Sequence, residues 1–160
     1  MKRIAFIYLL APAIMLLSGC KGGGPAEPSA AEAQLEKLAG AYNTSSSKTW
    51  TVESVTFDGS ENRTDEWSAF TLTISTNGSG TNNYATSNAF SPGPWPSSGS
   101  WAFGGTTDTP NINLVVRDGN LDVAITVSET SLTLTFTFDN QIHNGGRIDA
   151  VNGEYVFKMK

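Results

Sequence analysis

From Lys48 onward the apolar and polar residues alternate with a period of two. Phe70, Leu72 and Ile74 alternate with Thr71, Thr73 and Ser75. Leu121, Val123, Ile125 and Val127 alternate with Asp122, Ala124 and Thr126, and Leu132, Leu134, Phe136 and Phe138 with Thr133, Thr135 and Thr137. Tyr155, Phe157 and Met159 close the series. Such alternation predicts strands with one buried and one wet face, and Thr on the wet face favours a strand while staying soluble. Shorter runs at 50–57, 82–87, 99–103 and 111–117 bring the prediction to eight strands. In the first run the parity slips, because Trp50 and Val52 share one face and Val55 and Phe57 the other. One extra residue near Glu53-Ser54, a bulge, reconciles them and bends the strand toward a second neighbour.

Before the strands the period is helical. Ser29-Ala30-Ala31-Glu32 fits a capping box, and Ala31, Leu35, Leu38 and Tyr42 follow at helical spacing up to a stop at Gly40. This predicts a helix over 30–39 that packs on one end of the main domain. Asp58-Gly59, Asn77-Gly78, Asp118-Gly119 and Asn144-Gly145 are turn dipeptides, and Asp118-Gly119-Asn120 is the strongest hairpin signal. Connections are short apart from 58–66 and 88–98, and no helical crossover is available for a parallel sheet. The predicted fold is all-β: an antiparallel up-and-down barrel of eight strands over 45–160. The same alternation fits a two-sheet β-sandwich. Pairing of the strand near Trp50 with one near 131–138 or 153–159 decides for the barrel.

The start of the chain is an address. Met1-Lys2-Arg3 is basic, Ile4–Leu17 is almost unbroken apolar sequence, and Ser18-Gly19-Cys20 follows. This is the layout of a secretory signal, and the apolar run is short of the roughly 20 residues of a spanning helix. Leu17-Ser18-Gly19-Cys20 resembles a bacterial lipobox, which implies cleavage before Cys20 and acylation of its thiol. Several acyl chains hold a protein on a bilayer far better than one. The chain then divides into a signal peptide at 1–19, a lipidated tether with the short helix at 20–44, and the barrel at 45–160. Lys21 is not the Asp of inner-membrane retention, and no acidic cluster follows the Cys as in surface-exported lipoproteins of Bacteroidota. That resemblance implies the periplasmic leaflet of the outer membrane.

Composition then takes on meaning. The 160 residues carry 10 Lys+Arg and 15 Asp+Glu, a net charge of −5, with one Cys and one His. Loss of Lys2 and Arg3 with the signal moves the mature charge to −7. No basic excess exists to neutralise phosphates, so a nucleic-acid partner is not expected. The single Cys is an anchor rather than a nucleophile or ligand.

The order of landmarks resembles the lipocalin-like (calycin-type) lipoproteins of Bacteroidota over roughly residues 35–160. Leu38-Ala39-Gly40 leads to Thr49-Trp50-Thr51-Val52 and Asp58-Gly59. Phe70-Thr71-Leu72-Thr73-Ile74, Tyr84 and Gly99-Ser100-Trp101-Ala102-Phe103 follow, then Gly146-Arg147 and Gly153-Glu154-Tyr155-Val156-Phe157. The resemblance implies a lipocalin-like barrel. In true lipocalins an Arg near the barrel's end packs on a Trp of the first strand, which implies Trp50 and Arg147 as the pair that closes the barrel. Lys48 stands where the lipocalin motif has Gly.

Candidate chemistry is sparse. His143 lies in a polar stretch after a strand, without a Gly-x-Ser-x-Gly elbow, and reads as a loop residue rather than a triad member. The loop 58–66 gathers Asp58, Glu61, Asp65 and Glu66. It lacks the spacing of an EF-hand, and adjacent carboxylates suit paired acid–base work poorly. No enzyme activity, metal or other cofactor is expected. The aromatic residues are the candidate binding set: Trp95, Trp101, Phe103, Trp67 and Tyr84. Trp95 sits among three prolines, either exposed as a stacking surface or folded over the barrel mouth as a plug. An eight-stranded barrel is just wide enough to be filled by its side chains or to hold one small ligand. The functional expectation is a membrane-anchored, non-catalytic lipoprotein that binds a small apolar or amphipathic ligand. Its alternative is a structural or protein-interaction lipoprotein of the envelope with a filled barrel. A cavity of about 300 Å³ or more favours the binder.

Overall fold

The computed structural model describes residues 27–78, 81–89, 93–139 and 151–160. The signal, Cys20, His143 and Arg147 lie outside the described residues. The alternating runs become strands β1 (Ser45–Phe57), β2 (Glu61–Asn62), β3 (Thr71–Asn77), β4 (Asn82–Ser87), β5 (Ser98–Gly105), β6 (Pro110–Arg117), β7 (Leu121–Val127), β8 (Leu132–Phe138) and β9 (Gly153–Met159). Each strand pairs antiparallel with its neighbour in the order β2-β1-β3-β4-β5-β6-β7-β8-β9, and β1 also pairs with β9. That last pairing closes a ring of eight strands, with β2 outside it, and decides for the barrel over the sandwich.

The expected bulge is where the ring closes. Val52 faces Met159 and Ser54 faces Lys158, so Glu53 is the extra residue. Ser45–Thr51 pairs with β3, and Val52–Phe57 pairs with β9 across the bulge. β1 starts five residues earlier than the alternation indicates. Ser45, Ser46 and Ser47 carry no apolar pattern, but they are drawn into the ladder opposite Asn77, Thr76 and Ser75. β2 was not legible either: within the 58–66 loop, Glu61 and Asn62 turn back onto Phe57 and Thr56. Asp118 and Gly119 have φ of 52° and 75° and make the β6–β7 hairpin turn, the left-handed pair such a turn requires.

The helix α1 spans Ala30–Ala39. The Ser29 hydroxyl accepts from the Glu32 amide at 3.3 Å, and the Glu32 carboxylate accepts from the Ser29 amide at 2.7 Å. Gly40, at φ 95°, ends it, its amide donating to the Glu36 carbonyl. α1 lies across one end of the barrel and buries Gln34, Leu38 and Ala39. Ala31, Leu35 and Tyr42 of the predicted stripe are only half-buried, so the buried face is set by the end of the helix. The inward positions named from alternation on β3, β7, β8 and β9 are buried, apart from Val127 at the end of β7, which is partly buried.

Candidate functional site

The barrel interior is where a ligand would sit, and its two ends are closed differently. At the end away from α1, Trp95 turns inward and is 6% exposed. Its ring centroid lies 5.8 Å from Phe70, 5.9 Å from Tyr84, 5.6 Å from Phe136 and 6.1 Å from Phe157. The contacts to Tyr84, Phe136 and Phe157 are edge-to-face, an arrangement that adds about 1 kcal/mol each beyond area burial. Trp95 is therefore the plug, not the exposed stacking surface. Its indole N–H is buried without a hydrogen-bond partner, so ring contacts and the cation of Arg117, 5.0 Å from its centroid, hold it.

Arg117 is 3% exposed. Its guanidinium donates to the Pro94 carbonyl, and Nε lies 3.3 Å from an Asp118 carboxylate oxygen. That carboxylate also accepts the Tyr84 hydroxyl at 2.6 Å and the Ser100 amide at 3.0 Å. One acidic side chain thus ties β4, β5 and the β6–β7 turn, while Arg117 reaches the loop that carries Trp95. Burial, reinforced by the hydrogen bond to Asp118, raises the Tyr84 hydroxyl pKa far above its ordinary value. Burial lowers that of Arg117 against the opposing pull of Tyr84 and Asp118. Gly99 is required here: a Cβ would stand 2.1 Å from an Asp118 oxygen and 2.6 Å from the Tyr84 ring.

A second aromatic group thickens this closure. Trp67 is fully buried, 5.2 Å from Phe70 and 4.9 Å from Phe157. Tyr155 donates to the Val151 carbonyl at 3.0 Å, and burial pushes its pKa up to about 12.

At the other end the closure is α1. Trp50 is fully buried, and its indole donates to the Leu38 carbonyl at 3.0 Å. The Lys48 ammonium lies 4.1 Å from the centre of the Trp50 ring and donates to the carbonyls of Lys37 and Glu129 at 3.1 and 2.7 Å. Lys48, on the same strand, thus places a cation on Trp50; the expected partner Arg147 lies outside the described residues. Gln34 adds a bond to the Ile112 carbonyl at 3.1 Å.

Between the two closures remains a cavity of about 30 Å³, lined on the α1 side by Leu38 and on the far side by Trp95, Tyr84 and Arg117. Leu72, Ile74, Trp101, Val115, Val123, Ile125 and Leu134 form its wall. The structure thus brings together Trp95, Trp101 and Tyr84 of the predicted binding set. Trp67 sits apart in the aromatic packing, and Phe103 is half-buried against Trp101, 5.4 Å away. Arg117 was missed as a member of this group. Its signal was parity, since it shares the inward face of β6 with Val115.

Part of the acidic loop's oxygens are engaged within the fold. Asp58 accepts the Glu154 amide at 2.9 Å, Asn62 accepts the Thr64 amide at 2.9 Å, and Glu61 pairs with Arg63 at 2.9 Å. Among the described residues no three of His, Cys, Asp and Glu are gathered as metal ligands, and no described helix is long and apolar enough to cross a membrane. No protein-family model, curated protein or solved structure matches this chain.

Proposed function

We propose that the chain is a lipid-anchored lipoprotein of the bacterial cell envelope whose barrel is a filled, non-catalytic scaffold working through its outer surface. The observation that carries this reading is the size of the interior space. At about 30 Å³ it is an order of magnitude below the ~300 Å³ at which small-molecule sites begin. Both closures consist of side chains with partners elsewhere in the fold. The ligand-binding alternative draws on one observation, the wholly apolar character of the space that remains.

Two measurements test the proposal. Cys20→Ser is expected to move the protein from the membrane pellet to the soluble fraction; a substituted chain that stays with the membrane overturns the anchor. The purified protein is expected to leave an apolar dye such as diphenylhexatriene dark. Stoichiometric uptake of the dye overturns the filled scaffold and supports the binder.

A further inference from the structure

The outer face of the barrel is polar on most strands. β3 turns Thr71, Thr73 and Ser75 outward, and β8 turns Thr133, Thr135 and Thr137 outward. β6 differs. Val115 packs on the core and Arg117 is buried, so Leu114 and Val116 point out, and both are partly exposed. Their cross-strand neighbours are small and exposed: Val116 faces Ala102 on β5, and Leu114 faces Ala124 on β7. Leu114 also lies over Gly104, where a Cβ would stand 2.7 Å from its side chain. The result is a smooth apolar patch, bounded toward the far end by Asp122, which faces Val116 from β7. An exposed apolar patch with a polar rim marks contact with a protein or with a membrane.

The course of α1 favours the membrane. In its first half Gln34 donates to the Ile112 carbonyl of β6, and at its end the Lys37 and Leu38 carbonyls accept from Lys48 and Trp50 of β1. α1 therefore crosses the barrel end from β6 to β1, and the chain that leads back to Cys20 leaves over β6. Ala30 follows Cys20 by ten residues, a reach of at most ~35 Å when extended. The apolar patch thus lies beside the exit of the anchor. Anchoring makes any second contact with the bilayer intramolecular, so a small patch suffices. The backbone under the patch is also ready for lipid, since Leu114–Arg117 ladders with β7 and Val115–Arg117 with β5. Backbone groups that meet lipid must be paired within the protein.

We infer that the outer face of β6, Leu114 and Val116 between Ala102 and Ala124, rests on the bilayer that anchors the chain. The contact is interfacial: apolar side chains enter the headgroup boundary and nothing spans the membrane. This seating rests on the lipid-anchor reading and deepens the scaffold reading, because it says which surface the scaffold presents. In the closed ring β1 is four strands from β6 by either route. A barrel lying on β6 therefore turns β1, the outlying β2 and the 58–66 loop away from the membrane.

The test uses the acylated chain, purified from its own membrane and reconstituted into phosphatidylcholine vesicles whose acyl chains carry doxyl quenchers. Cys20 is the single cysteine and its thiol is taken by lipid, so Ala124→Cys, Ala102→Cys and Thr49→Cys each place one fluorophore, the last on the outer face of β1. Quenching is expected to be at least threefold stronger from positions 124 and 102 than from position 49. Leu114→Thr and Val116→Thr together, which copy the wet faces of the other strands, are expected to halve the quenching at 124 while the chain still floats with the vesicles. Equal quenching at all three positions, quenching strongest at 49, or quenching at 124 that survives both Thr substitutions overturns the seating and leaves the anchor standing. A chain that does not float overturns both. A label at 124 that lipid leaves unquenched on vesicles, but that is shielded from a water-soluble quencher in intact cells, assigns the face to a protein partner and overturns the seating too.

Discussion

The two ends of this barrel are sealed by opposite means. The far end is sealed from within the fold. Trp95, Trp67, Phe70, Phe136 and Phe157 pack together, and the Tyr84–Asp118–Arg117 network ties the plug to three strands. The helix end is sealed by an added element, α1, held by Leu38 and Ala39 and by a few bonds from Trp50, Lys48 and Gln34. Removing a part of the first end leaves a hole or an unpaired charge in the core. Removing a part of the second loosens a helix whose departure leaves the strand ladders intact. Stability should therefore be distributed unevenly, with the far end carrying more of it.

Substitutions that break this contrast can be ranked. Trp95→Ala empties the centre of the aromatic plug and is expected to cost about 4 kcal/mol, as buried Trp truncations do, measured by urea unfolding. A loss under about 1 kcal/mol would mean that the plug is not part of the core. Asp118→Ala leaves the Arg117 charge buried and uncompensated, and a loss of about 3 kcal/mol is expected; replacing Arg117 by Met in the same chain should recover part of it. At the helix end, Trp50→Phe removes the bond to the Leu38 carbonyl and shrinks a fully buried ring. The expected cost is about 2 kcal/mol, with faster amide exchange in α1 and little change in β8. If Trp50→Phe matched Trp95→Ala, the distinction between the two ends would fall.

The pH dependence sharpens the same contrast. Tyr84 and Tyr155 both belong to the far end, and burial raises both hydroxyl pKa values, that of Tyr155 to about 12. An unfolded tyrosine titrates near pH ~10. A group whose folded pKa is raised contributes stability that is fully present below the unfolded value and is lost as pH rises through the folded one. Unfolding free energy should therefore fall between pH ~10 and ~12 through these two groups, and Tyr84→Phe should flatten its share of the fall. A fall that Tyr84→Phe leaves untouched would place the lost stability elsewhere.

Much of this architecture was legible because local and global preferences agree. Ser29 and Glu32 mark the helix start, and the parity slip at Glu53 marks the place where β1 changes neighbours. The Thr-rich alternation of β3 and β8 marks which faces are wet. What escaped was set by distant partners. Ser45–Ser47 become strand only because β3 extends opposite them. Arg117 looks like an ordinary polar residue before a turn, and its burial depends on Asp118, Tyr84 and the Pro94 carbonyl. Trp95 could be read as plug or platform because proline stiffness fixes a loop without fixing its direction. Lys48 places a cation over Trp50, which the alternation alone does not announce.

The central claim is that the barrel is filled and carries no small-molecule cargo. Native mass spectrometry of the mature protein drawn from its own membrane tests it most directly. The account predicts the mass of the acylated chain from Cys20 onward with nothing further held inside. A stoichiometric, non-covalent small molecule that leaves only when the barrel unfolds would contradict it.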